Sequence, residues 1–122
     1  MQIKLYWIAL IALVPIAAAA DAPESSQQFI VHLETGEKWD HSLQPAEQTQ
    51  FKEHSANMNR LRESGTILFG ARYGEYGLLI LEEESLQSAI EILEADPGVM
   101  AGIFRFRIEP ISIFYPWKAL DD

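Results

Sequence analysis

The sequence contains no cysteine. That absence excludes disulfide staples, thiol nucleophiles, thiolate metal sites and the attachment point of a lipoprotein acyl group. Basic residues are also scarce, 9 Lys and Arg against 18 Asp and Glu, for a net charge of −9. Nucleic acids and anionic membrane surfaces are held through basic patches, so neither is expected as a partner. There is no Gly-x-Ser-x-Gly elbow for a serine nucleophile. Gly70, Gly74 and Gly77 do not form a phosphate loop, because the lysine and following helix that such a loop needs are missing. The three histidines, His32, His41 and His54, lack the helical or cysteine-assisted spacing of zinc ligands. No metal and no cofactor is expected. Internal repeats and low-complexity segments are absent as well.

What is present begins with an export pattern. Lys4 supplies a short positive start, Leu5 to Ile16 an apolar stretch interrupted by Pro15, and Ala18-Ala19-Ala20 a small-x-small cleavage site ahead of Asp21. The apolar stretch is shorter than the roughly 20 residues that span a bilayer. Residues 1–20 are therefore expected to be a cleaved signal peptide, taking the mature chain to the periplasm or the outside and leaving it free of the membrane. Residues 21–27 read as a flexible lead-in, 28–116 as one α+β domain, and 117–122 as a C-terminal tail.

Within the domain, hydrophobic periodicity switches between 2 and 3.6. Gln28 to Glu34 alternates, with Phe29, Val31 and Leu33 on one face and Ile30 and His32 on the other, as a strand does. A polar loop carrying Trp39, Asp40 and His41 leads to a helix over Glu47 to Gly65, with Pro45 at its first helical position and Gly65 as a left-handed cap. Thr66 to Gly70 and Tyr76 to Leu81 form a predicted hairpin about the turn Ala71 to Glu75, and their continuous apolar character suggests central strands. Ser85 caps a second helix whose buried positions are Leu86, Ala89, Ile90 and Leu93, stopped by Asp96-Pro97-Gly98. Ile103 to Ile108 alternates again, placing Phe104, Phe106 and Ile108 opposite Ile103, Arg105 and Arg107. The last residues are an extended aromatic arm.

The order βαββαβ predicts a ferredoxin-like fold, a four-stranded antiparallel sheet with two helices on one face. The other face carries Ile30, His32, Ile103 and the arginines, too apolar to leave bare, and a homodimer is the expected cover. On the first helix, His54 lies among Phe51, Met58 and Leu61 and so faces inward. An inward histidine is either a structural residue tied to a backbone carbonyl or a general acid/base, since imidazole titrates nearest neutrality. Asp96 has two similar readings, a turn cap or a partner that fixes an imidazole tautomer. Arg105 and Arg107 are expected to pair with Glu34 or Glu109 and to lie across the sheet from His54. Trp39, in the first loop, and Arg72, in the hairpin turn, are the candidate ligand contacts; Trp39 has the alternative of packing its loop onto the core.

Spaced landmarks run through almost the whole mature chain: Trp39-Asp40, Glu47-Gln48, Glu53-His54, Met58, Leu61, Gly65, Ile67-Leu68-Phe69-Gly70, Ala95-Asp96-Pro97, Ala101-Gly102-Ile103-Phe104 and Pro110. As a set they resemble the YCII-related domains of the dimeric α+β barrel superfamily. Members often carry Gly-Pro where this chain has Gly70-Ala71, and most are cytoplasmic. The resemblance implies a ferredoxin-like protomer, dimers whose sheets pack into a barrel, and an acid/base pair that maps onto His54 and Asp96. Elimination, isomerisation or a related proton transfer on a small molecule is the expected chemistry. A noncatalytic ligand-binding or interaction module of the same fold is the alternative.

Overall fold

The computed structural model describes residues 26–118. The expected signal peptide, residues 21–25 of the lead-in and residues 119–122 of the tail lie outside the described residues. Four strands, β1 (Gln27–Thr35), β2 (Ile67–Tyr73), β3 (Tyr76–Glu83) and β4 (Phe104–Pro110), form one sheet in the order β2-β3-β1-β4. All neighbours are antiparallel. Helices α1 (Phe51–Glu63), α2 (Leu86–Glu94) and the single turn α3 (Pro97–Met100) fill the connections. The protein is thus α+β, in an arrangement compatible with a ferredoxin-like fold. Among the described residues no helix is long and apolar enough to cross a membrane.

The period-2 pattern of β1 decides which side is inside. Phe29, Val31 and Leu33 are buried against Leu61 of α1 and Ala89 and Leu93 of α2, with Phe106 and Ile108 of β4 packed at the margin. Phe29, Leu81, Leu93 and Ile103 are essentially inaccessible, and each such side chain contributes about 1.5–3 kcal/mol by leaving water. The caps follow the local chemistry. The Ser85 hydroxyl accepts the Ser88 N–H, and Gly65, at φ +88°, closes α1 with Thr66 N–H bonded to Leu61 C=O and Gly65 N–H to Arg62 C=O.

Several expected boundaries move. Pro45–Glu47 is a separate 3-10 turn, and α1 starts at Phe51, because Gln48 is extended and Gln50 takes a left-handed φ of 63°. The hairpin turn is only Gly74-Glu75; Ala71, Arg72 and Tyr73 belong to β2, and Tyr73 pairs with Tyr76. A positive φ at Gly74 supplies what a two-residue hairpin loop requires. β2 is an edge strand, with Leu68 and Phe69 exposed, so within the chain its apolar run does not mark a central position. On α2, Leu86 is 40% exposed and Ile92 packs on the core instead.

The loop after β1 is bound to the start of β4. Gly36 N–H donates to Ile103 C=O and Lys38 N–H to Gly102 C=O, both at 2.9 Å. A Cβ on Gly36 would lie 2.3 Å from the Gly102 carbonyl oxygen. That neighbour is backbone and cannot swing aside, so Gly36→Ala is expected to destabilise the protein by about 1–3 kcal/mol, read as a lowered urea midpoint. An unchanged midpoint would show that the loop is not tied down there.

Candidate functional site

The loop from Gly36 to Gln44 is held by a buried amide. Gln48, 4% exposed, accepts the Asp40 N–H through Oε1 and donates through Nε2 to the carbonyls of Asp40 and Leu43. The Ser42 hydroxyl and N–H both donate to Asp40 Oδ1 and hold that carboxyl below its ordinary range. These bonds fix the loop, and Trp39 then packs against Phe104 in a tilted contact with ring centroids 5.7 Å apart.

His54 sits one turn into α1 and is 9% exposed. Its Nδ1 lies 2.6 Å from Asp96 Oδ2. Asp96 is completely buried and caps α3, its Oδ2 accepting Gly98 N–H at 3.0 Å and Val99 N–H at 3.2 Å. Asn57 Nδ2 donates to Oδ1 at 2.8 Å, and Arg60 in turn donates to Asn57 Oδ1. Both sequence readings of Asp96 therefore hold together: one carboxylate closes the turn and grips the imidazole. Burial pushes its pKa upward, but the bonds from His54 and Asn57, the charge of His54 and the Val99 N–H outweigh it and hold the carboxyl below its ordinary value.

An ionised carboxylate only accepts, so Nδ1 of His54 carries the proton and neutral His54 presents Nε2 as an acceptor. The ring makes tilted contacts with two neighbouring aromatic rings, the Phe104 centroid 4.4 Å away and Phe51 at 6.1 Å. Packing behind it is tight. A Cβ at Gly98 would stand 2.9 Å from Phe104 Cδ2 and 3.0 Å from His54 Cβ, so the absence of a side chain at Gly98 is what lets the turn approach the helix.

In front of the ring is a cleft of about 730 Å³ at the end of the sheet where β1 stops and the β2–β3 hairpin turns. His54, Trp39, Phe51, Met58, Phe104 and Arg72 are among its lining. Both candidate ligand contacts, Trp39 and Arg72, thus border the same space as the histidine. Arg105 is elsewhere, on the opposite sheet face, with Nε 2.8 Å from Glu34 Oε1. His32 shares that face, with Nδ1 2.5 Å from Tyr73 Oη. Among the described residues no three His, Asp or Glu side chains gather in a way that would hold a metal ion.

Asn57, Gly98 and the Phe104 ring belong to the site but are not singled out by sequence as parts of it. Asn57 left one signal: three residues beyond His54, it lies on the same helical face. No family model and no curated protein matches the chain.

Proposed function

We propose that this chain is a YCII-related protein acting as a small-molecule enzyme, with His54 as general acid/base and Asp96 as the residue that orients it. The observation that carries the reading is a fully buried carboxylate bonded to Nδ1 of a histidine that lines a cleft. In this scheme Nε2 takes a proton from a C–H or O–H of the bound molecule. The resulting imidazolium is stabilised by the Asp96 anion, and the proton is returned to another atom of the substrate or to the leaving group. Isomerisation and elimination are the two outcomes of that cycle. Its test is turnover in a screen of small organic substrates, lowered at least about 100-fold by His54→Gln. The apolar walls of the cleft also suit a second reading, a noncatalytic binding module, which predicts saturable binding with no turnover by any compound bound.

The same proposal includes a ferredoxin-like protomer that pairs, sheet to sheet, with a second copy in a dimeric α+β barrel. Its support is the apolar character of the face away from the helices, where Ile30, Leu78 and Phe69 are cross-strand neighbours of Ile80 or His32. Export by a cleaved signal peptide completes it. Native mass spectrometry of secreted material is expected to give a dimer of chains starting at Asp21. A monomer, or a chain retaining residues 1–20, would refute the corresponding half.

A further inference from the structure

The cleft has few charged groups, and their pairing is uneven. Glu34 is engaged by Arg105 across the β1–β4 pair. Glu75, in the hairpin turn, and Arg72 are both exposed side chains bordering the cleft, and His41 borders it as well. Arg72 borders the same cleft and makes no ion pair and no side-chain hydrogen bond with another described residue. Its place in β2 accounts for its reach. Arg72 is opposite Gly77 on β3, which is opposite Leu33 on β1, so its cross-strand neighbour has no side chain, and all three residues border the cleft.

Resting on the reading of His54 as the acid/base of this cleft, we infer that the cleft binds a small planar or aromatic monocarboxylic acid, its carboxylate on the Arg72 guanidinium and its body between Trp39, Phe51 and Phe104. A guanidinium matches a carboxylate in shape and charge. The aromatic walls select an apolar, flat body. Arg72 is the one arginine among the described residues that line the cleft, and a single guanidinium balances a single negative charge, whereas a phosphate dianion would be left with an excess. Arg72 and His54 border the same cleft, so an acid anchored on the guanidinium shares that space with the imidazole.

Paired titrations followed by NMR, with phenylacetate and its neutral isostere phenylacetamide as probes, test the assignment. Phenylacetate is expected to saturate and to shift the Trp39 indole N–H, with phenylacetamide binding about tenfold or more weakly. Arg72→Gln is expected to bring the acid down to the level of the amide. Arg107→Gln, on the far face of the sheet, is expected to leave the preference intact. Equal binding of the two probes, no saturation by either, or a preference that survives Arg72→Gln would overturn the inference. Binding is read here without turnover, so an inert dyad would leave this result standing. Turnover lost in His54→Gln with no preference for the acid would sink only the carboxylate assignment.

Discussion

Asp96→Ala is expected to lower the unfolding free energy by about 3–5 kcal/mol at neutral pH, because removing a buried carboxylate leaves the donors aimed at it without an acceptor. The stranded groups are specific: the Nδ1–H of His54, the Asn57 amide and the N–H groups of Gly98 and Val99 all point at this carboxylate. The acid limb should follow. Since the folded carboxyl titrates below its ordinary value, its stabilisation is complete above the unfolded carboxyl's pKa of about 3.9 and drains away as pH falls through the lower, folded value. Urea melts of wild type and Asp96→Asn should therefore differ most at neutral pH and converge below about pH 4. A gap that stays constant from pH 7 to pH 3 would mean that the carboxylate charge contributes nothing.

The second large effect concerns chemistry. His54→Gln is expected to slow turnover by about 10²- to 10⁴-fold, the range that a positioned acid/base contributes, with little change in substrate affinity. Asp96→Asn should be damaging for a different reason. An asparagine amide at Oδ2 can offer an N–H to Nδ1, which shifts the imidazole proton to Nε2 and turns the cleft-facing nitrogen from acceptor to donor. Losses of about 10⁴-fold accompany such a tautomer reversal where the histidine must act as a base. Single-turnover rates for the two variants should fall while binding of substrate survives. Full turnover in either would remove the dyad from the mechanism.

How much of this was legible beforehand depends on the range of the forces involved. The inward position of His54 follows from a 3.6-residue period, and the non-helical backbone of Asp96 follows from Pro97, so both could be read locally. The layout of strands and helices, set by alternating apolar residues, was legible for the same reason. The start of α1 was not. It is displaced by Gln48, whose side chain leaves the helix pattern to satisfy the backbone of a loop eight residues earlier. Nor could sequence show that Asp96 serves cap and imidazole at once, since that depends on a contact 42 positions away and on Gly98 being small enough to permit it. Arg72 illustrates the same limit. Placed in a turn by its glycine-containing surroundings, it proves to be a strand residue opposite a glycine at the border of the cleft.

The aromatic arm ends with Trp117 against Phe69, ring centroids 6.1 Å apart, on the side of the sheet away from the helices. Trp39 lies against Phe104 at the cleft. Among the described residues the two tryptophans thus sit in separate surroundings, one 83% exposed beside the open sheet face and one half-buried at the cleft. Quenching by iodide reaches the first before the second. Emission that stays accessible at Trp117 while Trp39 changes would report occupation of the cleft alone, and the reverse would report covering of the open face.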